Sequence, residues 1–257
     1  VIVEADPTIF LTEIFSAIQG EGALVGERQV FVRLAGCNIR CAYCDQPEAL
    51  VKEAGNCRVE RTPGRRDWHD VPSPLAIDDV VEAVDGLWRS LPHHSVSLTG
   101  GEPLFQGGGL EDLAEGLVRR GHRLFLETNG MLTAALGRIS RLLDYVSMDV
   151  KLDSVDGEGV SLDRHRKFLA AAVGSVPHVY CKVVVGAATD QAELARAVDM
   201  IAGTAPDVEV FLQPVTPFAV VTTAPTPEQV LEMHEIALRI HPRVRVVPQT
   251  HKAIGQL

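Results

Sequence analysis

Cys37, Cys41 and Cys44 are the residues whose type and spacing point most directly to chemistry, in the run Cys37-Asn38-Ile39-Arg40-Cys41-Ala42-Tyr43-Cys44. Three residues separate the first pair and two the second. Thiolates are soft ligands that suit zinc or iron–sulfur centres. Three of them this close can wrap one compact cluster and leave a fourth iron without a protein ligand. Such an iron can bind and activate a small molecule. A zinc centre would want a fourth Cys or His, and Cys57 and His69 are available. Five cysteines, three of them within eight residues, are poorly arranged for disulfides and well arranged for a metal site.

A second set of polar residues stands directly after short apolar runs. Gly100, Gly101 and Glu102 follow Ser95–Thr99, and Glu127, Thr128 and Asn129 close Arg123–Thr128. Asp149 and Lys151 close Tyr145–Val150, and Gln213 follows Val208–Leu212. The apolar runs read as strands. The glycines allow close backbone approach, while free carbonyls and Glu102 can accept hydrogen bonds from an ammonium group.

The elements that must position these residues alternate along the chain. Gln29–Leu34 is a strand ending just before the cysteines, and Val179–Val185 and Val244–Val247 are further strands. Apolar spacing predicts helices over Ile77–Leu91, Leu110–Arg119, Leu132–Leu143, Asp163–Val173, Gln191–Ile201 and Pro227–Arg239, with Thr189 as a cap. Units of this kind imply right-handed crossovers and an α/β fold with a largely parallel sheet. The carboxyl ends of the strands then face one side, where ligands bind. Residues 47–72, polar and glycine-containing, read as an inserted loop in an otherwise single domain spanning 1–257. Arg58–Asp70 within it reads as solvated.

The length of 257 residues and the 46% hydrophobic composition allow a large core. The net charge of −10 argues against a nucleic-acid partner. No apolar run approaches the roughly 20 residues of a membrane span. The N-terminal residues lack the pattern of a secretory signal, so the cytoplasm is the expected location. Cys181, Met148, Met200, Trp68 and Trp88 read as packing residues, and the remaining histidines show no ligand spacing.

The cysteine motif, with Tyr43 as the aromatic residue before its last cysteine, resembles that of the radical S-adenosylmethionine (SAM) superfamily. The resemblance implies a partial (β/α)6 barrel in which Cys37, Cys41 and Cys44 hold a 4Fe-4S cluster. SAM would chelate the open iron and be cleaved to methionine and a 5′-deoxyadenosyl radical. Gly100-Gly101-Glu102-Pro103 resembles the segment that receives the SAM amino group. Tyr43, Glu127, Asn129, Asp149, Lys151 and Gln213 are the other SAM-side residues.

Outer segments are more discriminating. Glu13-Ile14-Phe15-Ser16-Ala17-Ile18-Gln19-Gly20-Glu21-Gly22, Gly26, Gln29–Cys37, Pro248-Gln249-Thr250-His251-Lys252 and Gly255 resemble the 7-carboxy-7-deazaguanine synthase family. That family contracts the ring of 6-carboxy-5,6,7,8-tetrahydropterin with release of ammonia. Gln19 and Glu21 offer hydrogen bonds to the amide-like edge of a pterin, and Arg33 offers a planar fork to its carboxylate. Gly22, Gly36, Thr99, His251, Lys252 and Leu257 complete the substrate set that the resemblance implies. It also implies magnesium, a homodimer, and flavodoxin or ferredoxin as electron donor. The family follows Asp with a hydroxyl residue that ligates magnesium; here Asp45 is followed by Gln46, whose amide oxygen stands in that place. A radical enzyme acting on another heterocycle, a glycyl-radical activase and a non-catalytic zinc or electron-transfer protein are the competing readings.

Overall fold

The computed structural model describes residues 7–53, 55–157 and 159–256. Its first strands are β1 (Thr8–Ile9), β2 (Leu11–Ile18) and β3 (Arg28–Leu34), with β2 and β3 antiparallel. Next come β4 (Asn56–Glu60), β5 (Trp68–Pro72) and β6 (Leu75–Ala76), the last pairing with β1. The strand–helix rhythm then begins with α1 (Ile77–Ser90), β7 (Ser95–Gly100), α2 (Gly108–Arg119), β8 (Leu124–Thr128), α3 (Thr133–Ile139) and β9 (Tyr145–Val150). It continues through α4 (Asp153–Asp156), α5 (Leu162–Val173), β10 (His178–Val185), α6 (Gln191–Thr204), β11 (Glu209–Pro214), α7 (Pro227–Ile240), β12 (Val244–Val246) and α8 (Thr250–Ala253).

Ten strands form one sheet in the order β12-β11-β10-β9-β8-β7-β3-β2-β4-β5. From β3 to β12 every neighbouring pair is parallel, so these strands send their carboxyl ends to one side. The helices cover the sheet with apolar stripes, such as Ile77, Val80, Val81, Val84 and Leu87 of α1. Their spacing matches the helical period, and one continuous core results. Among the described residues, no helix is long and apolar enough to cross a membrane.

Four sequence expectations change. The 47–72 segment is not a loop throughout: β4 and β5 form a hairpin that extends the sheet, so Arg58–Asp70 is mostly ordered strand. Its alternation was hidden because Arg58 and Trp68 pack against each other, with the guanidinium 5.0 Å from the ring centroid. Second, β2 is an additional strand, buried along almost all of its length and therefore without a polar face to reveal its period. Third, Asp190 caps α6 by accepting from Glu193 N at 2.9 Å, whereas Thr189 Oγ1 accepts from Gly186 N. Fourth, the helix expected over Leu132–Leu143 ends at Ile139 and tightens into a 3-10 turn.

Cys57 is fully buried in the main core beside β2, and His69 lies across the hairpin from Val59. Neither lines the cysteine pocket, so neither completes a zinc site there. Glu60 ties the hairpin to the sheet. β4 pairs with β2 only at Glu13 and Ile14, and beyond them the Glu60 carboxylate accepts from Ser16 N at 2.9 Å and Arg66 N at 2.8 Å. Replacing Glu60 with Ala strands a buried N–H, and urea unfolding should show a loss of about 1–3 kcal/mol. An unchanged transition would mean that water replaces the carboxylate without loss.

Candidate active site

The carboxyl ends of the parallel strands open into one pocket. Its empty space is about 1240 Å³, part of it open to solvent. Its lining brings together Gln19, Glu21, Arg33, Cys37, Cys41, Tyr43, Cys44, Gln46, Thr99, Gly100, Gly101, Glu127, Asn129, Asp149, Lys151, Gln213 and His251. The strand ends expected to face one side do form one surface. Gly22, Gly36, Glu102 and Lys252 are not part of the lining, and Leu257 lies outside the described residues.

The cysteine loop leaves β3 at Gly36 and is anchored at several backbone points. Gly36 N donates to Ala49 O, Cys37 N to Leu50 O, Ala42 N to Asp156 O and Cys44 N to Cys41 O. The Gly100-Gly101 pair crosses the same place. Gly101 N donates to Leu34 O at 2.9 Å and Glu102 N to Gly36 O at 2.8 Å. A Cβ on Gly100 would strike the Leu34 backbone, and one on Gly101 would strike the carbonyls of Gly36 and Ala49. The glycines are thus required first by the crossing beneath the cysteine loop.

Glu102 lies behind the pocket lining. Its carboxylate turns inward and accepts from Leu104 N at 3.1 Å, Thr128 Oγ1 at 2.8 Å and Asn129 N at 2.8 Å. Burial, working against those hydrogen bonds, pushes it up to about 7. It joins the ends of β7 and β8. Asn129 is partly committed as well, because its Nδ2 donates to Asn38 Oδ1 and its Oδ1 accepts from Met131 N.

A buried charge network lies beneath the pocket. Lys182 of β10 makes short ion pairs with Glu21 and Glu127 and stands 3.2 Å from Asp149 Oδ1. Lys151 lies 3.1 Å from Asp149 Oδ2 and 3.0 Å from the Tyr43 hydroxyl. Burial would raise the Glu21 carboxyl, but Lys182 outweighs it and holds the group down at about 2. Asp149 is also lowered: burial opposes, and Lys151 and Lys182 prevail. Burial prevails at Glu127, which is raised despite Lys182, with Glu21 and Asp149 adding to the rise. Both lysines stay well above their ordinary value because the carboxylates outweigh burial. Sequence reasoning missed Lys182. Its signal was a lone lysine inside the apolar run His178–Val185.

The N-terminal and C-terminal motifs meet at the rim. Gln19 is buried with both halves of its amide engaged: Oε1 accepts from Glu21 N at 2.9 Å, and Nε2 donates to Gln29 Oε1 at 3.0 Å. It shapes the turn, and each end of its amide keeps one further hydrogen-bonding position at the pocket lining. Gly22 sits at φ +61°, where a Cβ would collide with the Tyr180 ring. A Cβ on Gly36, at φ +92°, would sit tightly against Lys52 and Phe105. The tail docks on Gly20, whose carbonyl accepts from Thr250 N at 3.0 Å and Thr250 Oγ1 at 3.1 Å while His251 covers its α-carbon. Gln249 Nε2 donates to Glu21 Oε1 at 2.9 Å, and Lys252 pairs with Asp45 at 2.7 Å. Arg66 in the hairpin turn donates to Gly255 O at 2.6 Å, joining the two ends of the sheet.

The donor set fits an iron–sulfur cluster with a nucleoside ligand. Burial raises the thiol of Cys37 and pushes that of Cys41 up to about 12. Such thiols are inert when free and become thiolates on metal binding. Among the described residues, no three His, Cys, Asp or Glu side chains close on a point that could hold one metal ion. A four-iron cube is wider than one ion, and its three ligands need not converge so far. Gln213 supplies a second sign: its Oε1 is buried in the pocket wall without a hydrogen-bond partner. A buried acceptor left unpaired costs free energy unless a ligand donates to it.

Residues 32–171 match the Radical SAM superfamily. The chain is 42% identical to 7-carboxy-7-deazaguanine synthase of Geobacter sulfurreducens, across 98% of this chain and 99% of that protein. It is 33% identical to the enzyme of the same name from Methanothermobacter thermautotrophicus, across 95% and 96% of the two chains. This chain belongs to the 7-carboxy-7-deazaguanine synthase family. A solved structure of QueE from Escherichia coli shares the fold, with a TM-score of 0.59 at 20% identity over 94% of each chain. Membership accounts for the joint presence of the cysteine loop and the Gln249–Lys252 tail at one pocket. Gln46 lines the pocket without capping the 3-10 turn that follows.

Lys182 is the residue on which this geometry turns. Lys182→Met would leave three buried carboxylates with one cation fewer, and equilibrium unfolding should show a loss of about 3–5 kcal/mol. A loss below 1 kcal/mol would mean that the carboxylates shed their charge or reach solvent.

Proposed function

We propose that this chain is a 7-carboxy-7-deazaguanine synthase, converting 6-carboxy-5,6,7,8-tetrahydropterin to 7-carboxy-7-deazaguanine and ammonia in queuosine biosynthesis. The observation that carries the proposal is the convergence of the Cys37–Cys44 loop, Arg33 and the Gln249–His251 tail on one pocket. Cys37, Cys41 and Cys44 would hold the 4Fe-4S cluster. Bound there with SAM, the cluster supplies the electron that yields the radical for hydrogen abstraction from the substrate.

The chain's own residues bind and orient. Lys151, fixed between Asp149 and Tyr43, presents a cation suited to the SAM carboxylate. The unpaired Gln213 oxygen suits an exocyclic amine such as that of adenine. Thr99 donates to Glu127 at 3.2 Å and directs that carboxylate toward ribose or substrate. Glu21, although bonded to Lys182 and Gln249, keeps lone pairs for the NH groups of a pterin. Arg33 donates its Nε to Glu13 at 2.8 Å, and its terminal nitrogens make no hydrogen bond within the described protein. They suit the substrate carboxylate. His251 closes the site from above Gly20. The tail keeps solvent from the reacting atoms.

Gln46 is our candidate for the magnesium ligand, aided by Asp45, with the carboxamide replacing a hydroxyl. A homodimer and a flavodoxin or ferredoxin donor complete the proposal.

Two experiments test it. After anaerobic reconstitution, the wild type should hold about four irons and four sulfides per chain, as a cubane requires. Cys41→Ala should lose most of both, and zinc without sulfide would remove the radical assignment. A reduced assay with 6-carboxytetrahydropterin should form the deazapurine, more slowly in Gln46→Ala at limiting magnesium. SAM cleavage with no deazapurine would reject the substrate.

A further inference from the structure

The hairpin that extends the sheet also reaches the pocket through one row of charges. In the strand registers, Arg33 of β3 faces Glu13 of β2, Glu13 faces Arg58 of β4, and Arg58 faces Asp70 of β5. Residues paired across a sheet project from the same face, so four side chains of alternating charge form a line from the pocket to the sheet edge. Glu13 is the shared member. Its Oε2 accepts from Arg33 Nε at 2.8 Å, and its Oε1 forms a short ion pair with Arg58. Aromatic rings support both guanidinium planes: Arg33 lies 5.4 Å from the Phe15 centroid and Arg58 5.0 Å from that of Trp68. Phe15 and Trp68 themselves meet edge-on at 6.0 Å.

The division of the Glu13 carboxylate has a chemical consequence. An arginine facing a free carboxylate prefers to engage both oxygens with two parallel N–H groups. Here Arg58 occupies the second oxygen, so Arg33 is held by Nε alone. Its two terminal nitrogens remain available at the pocket wall. Without Arg58, Glu13 could take Arg33 in a two-point grip and withdraw one of those nitrogens. We infer that Arg58, on the β4–β5 hairpin, is a positioning residue that keeps the Arg33 fork free for the carboxylate of the substrate. The hairpin is then part of substrate recognition although none of its side chains lines the pocket. This inference rests on the assignment of Arg33 to the substrate carboxylate.

The test uses full-length reconstituted enzyme and three variants: Arg58→Gln, Arg58→Lys and Arg33→Gln. The Arg58 side chain is half exposed, so its replacement leaves the fold intact, as thermal unfolding will verify. Each protein is assayed for KM and kcat with 6-carboxytetrahydropterin, and for inhibition by a tetrahydropterin lacking the carboxyl group. Arg58→Gln should raise KM about tenfold, the scale of one charge-assisted hydrogen bond. Its kcat and its affinity for the uncharged inhibitor should stay within about twofold, inside the spread of a surface substitution. Arg58→Lys should restore most of the KM, because an ammonium also occupies Oε1. An unchanged KM in Arg58→Gln, or an equal loss of affinity for both pterins, overturns the inference. If Arg33→Gln itself leaves KM unchanged, the assignment of Arg33 falls first. If Arg33→Gln raises KM and Arg58→Gln does not, only the role of the hairpin is lost.

Discussion

A single ammonium group, Lys182 Nζ, sets the geometry of the site. Three carboxylates meet it, from the turn after β2, the end of β8 and the end of β9. Like charges this close would otherwise drive the strand ends apart or take up protons. The lysine instead holds them at one level, and Lys151 shares the load at Asp149. The pocket floor is thus a compact salt of three anions and two cations, enclosed by strands that are apolar on their other face. Replacing it with apolar residues could raise stability, but the floor would lose the directed acceptors that a ligand rich in N–H groups requires.

Much of this was legible in the sequence, for physical reasons. Tyr145–Val150 keeps the bounds read from its apolar run, and Val179–Val185 differs from its strand by one residue, because a buried parallel strand is continuous in hydrophobicity. Cys37, Cys41 and Cys44 were legible because ligand spacing is local. Pocket residues at strand ends were legible because parallel topology sends those ends to one side.

What was illegible depended on partners distant in sequence. Glu102 and Gln19 looked like ligand-facing groups, yet both complete hydrogen bonds that the backbone would otherwise lack. Nothing local distinguishes a carboxylate aimed at a ligand from one aimed at the N–H of Asn129. Lys182 was hidden for the opposite reason, since a strand pattern marks one charged residue as an exception and does not name its partners. The hairpin escaped notice because aromatic–guanidinium contacts let polar residues occupy a packed face.

The docking of the tail on Gly20 also bears on how the protein is made. Synthesis proceeds at roughly 5–20 residues per second, so the segment around Cys44 leaves the ribosome roughly ten seconds or more before Gln249. During that interval the cysteine loop exists without the His251 cover and without the Thr250 bonds to Gly20. Residues around Thr250 close over Gly20, made long before them. A cluster delivered before residue 250 is made meets a site without that part of its rim, whereas one delivered later meets a rim completed by residues some 230 positions apart.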